Sequence, residues 1–123
     1  MDKWIERLDR LYPQLRNRWT RCHFCGRPTQ QIHHIRGRRN LLLRYDINNL
    51  IPLCADCHSL VHLKNLDLYI PVWRMEYLNK MGRVQFQDYL LKNGLTREEF
   101  FKQQEITLKE YIHGIGEDKR IFR

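Results

Sequence analysis

Four cysteines and a spaced set of histidines carry most of the side-chain chemistry of this chain. Cys22 and Cys25 form one C-x-x-C pair, and Cys54 and Cys57 form a second. Two cysteines separated by two residues can approach one ion if the backbone turns tightly, and Gly26 supplies the permissive backbone such a turn needs. A single C-x-x-C could equally serve redox chemistry. Two of them in a reducing compartment point to zinc rather than to disulfides. A set of four cysteines fills all four positions of a tetrahedral ion, so that zinc is structural and not catalytic. The histidines form a separate set. His58 and His62 are four residues apart, so on a helix they share a face and can bind one ion. His33 and His34 lie between the cysteine pairs. Taken alone, those two could be packed or exposed residues of a strand.

The elements that must position these groups are legible in outline. Trp4, Leu8, Leu11, Leu15 and Trp19 recur at helical spacing, with Asp2 as a cap and Pro13 as a break near Tyr12. Residues 22–28 form a knuckle, in which His23 is expected to be exposed rather than a ligand. Residues 30–35 and 50–53 read as two short strands, with Pro52 at an edge or strand end. Arg36, Arg38 and Arg39 lie in a basic loop between them, the run Leu41–Leu43 has no assigned state, and residues 46–49 are turn-like. A helix is expected from about residue 55 to 64, with Leu60, Val61 and Leu63 packing on the hairpin.

The rest reads as helical. Pro71 opens a helix to about Met81, residues 83–92 form another closed by Asn93-Gly94, and a Thr96–Glu99 capping box opens a third, to about His113. Met75, Leu78, Phe86, Leu90, Leu91, Phe100, Phe101, Leu108 and Ile112 are the expected core of this half. The organisation that follows is a single domain, with an N-terminal helix (1–19), a metal-bearing core (20–64) and a helical C-terminal extension (65–123).

The chain has 123 residues, 22 Lys and Arg against 14 Asp and Glu, a formal net charge of +8 and a pI near 9.6. Such a balance favours a polyanionic partner, although a basic surface with no partner has the same composition. No apolar run reaches the roughly 18 residues of a membrane span, and the start has no signal-peptide core, so a cytoplasmic location without membrane contact is expected.

In order, the chain reads C-x-x-C, His33-His34, Asn49-Leu50-Ile51-Pro52-Leu53, C-x-x-C-His58, then His62. This resembles the HNH endonuclease family over about residues 20–64. The resemblance implies an α+β fold with a small ββα-metal (His-Me finger) core and a four-cysteine structural zinc at Cys22, Cys25, Cys54 and Cys57. It further implies DNA as partner, His34 as general base, and Asn49 as the residue that fixes the loop and orients His34. Asn48 competes for that role, and the following Leu50 favours Asn49. His33, His58 and His62 would hold a catalytic divalent ion (Mg2+, Mn2+, Ni2+ or Zn2+), with His62 varying among relatives that carry a four-cysteine zinc. Arg36, Arg38 and Arg39 are the candidate phosphate contacts. The segment from Trp73 to Gly82 is similar to the tail of phage-encoded recombination nucleases of the NinG (Rap) type, which implies phage or mobile-element DNA processing.

Adjacent residues of a regular strand point to opposite faces, so His33 is expected to face the helix and His34 the substrate, at a strand end or distortion. Two other readings keep the same residues. One is a zinc-stabilised DNA-binding module without catalysis, which does not need the second set of histidines. The other is an accessory subunit of a larger phage recombination or DNA-packaging (terminase) assembly.

Overall fold

The computed structural model describes residues 2–60 and 70–114. Helix α1 (Lys3–Leu11) starts where the Asp2 carboxylate accepts from the Trp4 and Ile5 amides, and it gives way to a 3₁₀ helix (Tyr12–Asn17) at Pro13. Proline lacks the amide that would continue the α-helical ladder, which is why the chain tightens there. Strand β1 (Ile32–His34) pairs antiparallel with β2 (Leu50–Pro52), with His34 opposite Leu50 and His33 opposite Ile51. Between them lie α2 (Leu41–Arg44), capped by Asn40, and a 3₁₀ turn (Ile47–Asn49), capped by Asp46. Helix α3 (Ala55–Ser59) follows β2 directly, which completes a ββα unit. Val61, His62 and Leu63 lie outside the described residues, and Leu60 is half-buried.

Helices α4 (Val72–Met81), α5 (Phe86–Asn93) and α6 (Arg97–Ile112) make up the C-terminal part. The Thr96–Glu99 capping box forms with both of its reciprocal hydrogen bonds. Gly94 ends α5 in the left-handed conformation (φ +63°), which a residue with a Cβ adopts only at a cost. Helix α5 starts at Phe86 rather than at residue 83, because Arg83 and Val84 continue the turn out of α4.

These helices pack on the ββα unit in two places. α1, α5 and α6 bury Leu8, Leu90, Phe100, Phe101 and Leu108 with Tyr45 and Leu50. On the other side, α4 presses Met75 and Leu78 against Ile35, Leu43 and Ile51. One expected core residue is not buried: Leu91 is 82% exposed. It follows Leu90 by a single residue, and a 100° step takes it off the face that Leu90 buries. Phe86 is half-buried and packs edge-on against Phe100. Among the described residues, no helix is long and apolar enough to cross a membrane.

Candidate metal centres and cleft

The two knuckles come together. The Cys22 amide donates to the Arg27 carbonyl (2.7 Å) and the Gly26 amide to the Cys22 carbonyl (3.0 Å), closing a turn in which Gly26 has φ +75°. The second pair is built differently: Cys54 is the N-cap of α3, and its sulfur accepts from the Cys57 amide (3.4 Å). The His23 amide donates to the Pro52 carbonyl (2.9 Å), tying the first knuckle to the end of β2. Across the surface, Arg27 and Asp56 pair at 2.8 Å.

All four sulfurs lie within 4.8 Å of one another, and Cys25 Sγ and Cys54 Sγ are 3.7 Å apart. With Zn–S bonds of about 2.3 Å, the edge of a sulfur tetrahedron is about 3.8 Å, so the cluster fits a zinc ion. The protonation of the thiols points the same way. Burial opposes the Cys22 thiolate, but hydrogen bonds from the Cys54, Cys25 and Phe24 backbones outweigh it and bring this thiol down to about 6. Burial, and then the Cys54, Cys25 and Cys22 side chains, push Cys57 up to about 12. Four sulfurs this close do not all ionise without a cation to offset their repulsion, and a divalent ion supplies that offset. His23 is half-buried and stands outside this four-sulfur group.

The histidines divide between two environments. The His33 and His58 rings, from β1 and α3, lie with centroids 5.0 Å apart at an interplanar angle of 65°. Two imidazoles bound to one ion through nitrogens at about 2.0–2.1 Å have centroids about 5 Å apart, so this pair fits as two ligands of a shared ion. His62, expected as their companion, lies outside the described residues.

His34 ends β1, and its ring sits elsewhere. Nε2 is 2.9 Å from the Arg44 carbonyl oxygen, and the ring meets Tyr12 edge to face at 5.0 Å. A carbonyl only accepts, so Nε2 bears the proton, and in the neutral ring Nδ1 keeps its lone pair. Burial holds the His34 pKa below the usual imidazole value; the bond to Arg44 and the charge of Asp9 oppose that, while the charges of Arg38 and Arg44 add to it.

Asn49 is fully buried and spans the loop that follows β1. Its Oδ1 accepts from the Arg36 amide (2.7 Å), and its Nδ2 donates to the carbonyls of Arg36 (2.9 Å) and Leu43 (3.1 Å). Asn48 is placed differently: its amide and side chain donate to Asp46, and its carbonyl accepts from Arg74 Nε (2.6 Å). Arg36, Arg38 and Arg39 all line a cleft of about 940 Å³ that also contains His33, His34 and, from beyond α4, Arg83. The Arg36 guanidinium donates to Asn79 Oδ1 (3.0 Å), which ties the loop to α4. Arg38 lies 3.8 Å from Asp9.

Three groups around this site escape a motif-based reading. Asp9 of α1 takes a two-pronged ion pair from Arg44 (Nη2–Oδ2 2.8 Å, Nε–Oδ1 3.2 Å) and accepts from the Tyr45 hydroxyl (2.7 Å). Burial disfavours its charge, but Arg44 and Tyr45 outweigh that and hold it below the usual carboxylate value. It thereby anchors the residue whose carbonyl holds His34. Arg74, fully buried, donates to the Asn48 and Leu50 carbonyls and holds the entry to β2. Asp46, whose pKa burial raises despite bonds from Tyr77 and Asn48, caps the turn that carries Asn49.

A ββα unit clamped by a four-cysteine cluster, with histidines of its first strand and its helix converging, defines a small α+β metal-binding fold. Residues 21–64 match the family model described as HNH endonuclease, a span that contains both cysteine pairs, both strands and α3. The match is confined to that span, and the helices on either side of it pack onto its core. No curated protein and no solved structure matches the chain.

Proposed function

We propose that this protein is a metal-dependent endonuclease that hydrolyses DNA phosphodiester bonds. The observation that carries the reading is the convergence of His33 and His58 from separate elements, with His34 held at the cleft that His33 also lines. A structural zinc needs none of these histidines, so their placement favours a nuclease over a non-catalytic zinc-stabilised binder. His33 and His58, with His62, would hold a divalent ion. When bound there, such an ion supplies Lewis-acid polarisation of the scissile phosphate and stabilises the leaving oxygen.

The protein's own part follows from the geometry around His34. With Nε2–H donated to the Arg44 carbonyl, Nδ1 is the nitrogen available to take a proton from the attacking water. Burial, which lowers its pKa, favours the unprotonated form of that nitrogen. Asn49 serves the base indirectly: it pins the loop and the Leu43 carbonyl, next to the residue that holds His34. The cleft arginines take the flanking phosphates, and the four cysteines hold the zinc that fixes β2 against α3.

The test is His34→Ala in zinc-loaded protein. Loss of a general base should lower the cleavage rate about 10²–10⁴-fold. Zinc content should stay at the wild-type value, with a lower Tm from the lost Arg44 bond and Tyr12 contact. Cleavage at the wild-type rate by the purified variant would remove His34 from the mechanism.

A further inference from the structure

The cleft beside His34 is larger and less polar than a phosphate site requires. Ile32 and Tyr12, both half-buried, give it an apolar floor, backed by the almost fully buried Leu43 and Leu78. Arg36, Arg38 and Arg39 of the loop and Arg83 all line it, and none of its described lining residues is acidic. A phosphodiester backbone would use only those arginines. Phosphates gain nothing from an apolar floor, because moving charge off water onto apolar side chains is costly. The face of a nucleobase does gain from it, and an arginine-rimmed cleft with an aromatic wall matches the chemistry that holds unstacked bases. Its volume also lies in the range of pockets that take ligands of nucleotide size. In continuous duplex every base is paired and stacked, so none is available to enter.

We propose that this cleft takes one unpaired nucleobase next to the scissile phosphate, so that the preferred substrate is DNA carrying an unpaired nucleotide rather than continuous duplex. The position of the scissile phosphate rests on the nuclease reading above. Arg83 lies beyond the matched HNH span, so the C-terminal extension supplies one lip of the substrate site.

The test uses the whole zinc-loaded chain and three oligonucleotide duplexes of one sequence: fully paired, with a single-nucleotide bulge, and with the same bulge carrying an abasic sugar. The abasic bulge keeps the flexible backbone and removes only the base. With an added divalent ion, cleavage beside the base-bearing bulge should exceed that of the other two by about tenfold. Arg83→Ala should reduce that cleavage several-fold while leaving zinc content unchanged. Equal cleavage of the bulge with and without its base, or faster cleavage of the paired duplex, would overturn the proposal. If no duplex is cut with Mg2+, Mn2+, Ni2+ or Zn2+, the nuclease reading fails on its own. Binding of the same three duplexes without added ion, read by fluorescence anisotropy, then decides the pocket. Tighter binding of the base-bearing bulge than of its abasic twin supports it, and equal binding overturns it.

Discussion

His34 shows how a single side chain can be prepared for a proposed role by groups that carry no motif. Its Nε2 bond to the Arg44 carbonyl selects the tautomer, and burial lowers its affinity for a proton. The folded imidazole therefore stays neutral at pH values where a free one, titrating near ~6.5, has begun to charge. On the proposed mechanism, the acid limb of cleavage should be centred below the free-imidazole value of about 6.5. A pH–rate profile read at saturating metal checks this, and an acid limb centred above that value contradicts it. The histidines and Asn49 are visible in the sequence because residue type and order mark them. The partners of His34 are not. A main-chain carbonyl acceptor has no residue type, and Asp9 sits in a helix whose charged residues look like an ordinary solvated face.

At the scale of elements, α1 is more than a cover for the core. Asp9 joins it to α2 through Arg44 and Tyr45, and Tyr12 just beyond its end packs against His34. Asp9→Ala leaves a partly buried guanidinium and a buried hydroxyl without their shared acceptor. It should cost about 1–3 kcal/mol in denaturant unfolding and also slow cleavage, with zinc content unchanged. A variant that loses stability but cleaves at the wild-type rate would mean that α1 does not position the base.

The C-cap of α5 gives a cleaner backbone test. No atom lies within 4 Å of a Cβ built on Gly94, so Gly94→Ala meets no clash and carries only the strain of φ +63°. Its expected cost is about 1–2 kcal/mol, measured by the same unfolding assay. Caps, proline breaks and the capping box are readable from sequence because each is a local hydrogen-bonding or steric rule. The state of Leu41–Leu43 is not, since four helical residues between two turns are set by packing against α4 and by the Asn40 cap. Leu91 departs from expectation for a related reason: α5 turns one face to the core, and which of two adjacent leucines takes that face is set by packing that the sequence does not show.

For the whole molecule, the zinc cluster and the basic cleft divide the work. The cluster joins a knuckle at the N-terminal side of the HNH span to the start of α3, and so fixes His58 relative to β1. Metal affinity at such a site is folding free energy. Cys25→Ser, at the most exposed of the four thiols, should lower zinc content below one ion per chain and lower the Tm. Mass spectrometry under native conditions and a thermal melt check both. The excess of positive charge, +8 over the chain, is plain from composition, but its focus is not. Arg83 joins the loop arginines only through the packing of α4 onto the hairpin, a contact between segments far apart in the chain.

The proposed mechanism gives one chain two ions, a zinc held by cysteines and a reactive ion held by histidines. It is tested most directly by His58→Ala, with bound zinc and DNA cleavage measured on the same sample as divalent ions are added back singly. The variant should keep one zinc per chain and the wild-type Tm but lose ion-dependent cleavage. Wild-type cleavage by the variant, or a wild-type protein that saturates with one zinc and cuts no DNA with any added ion, would contradict it.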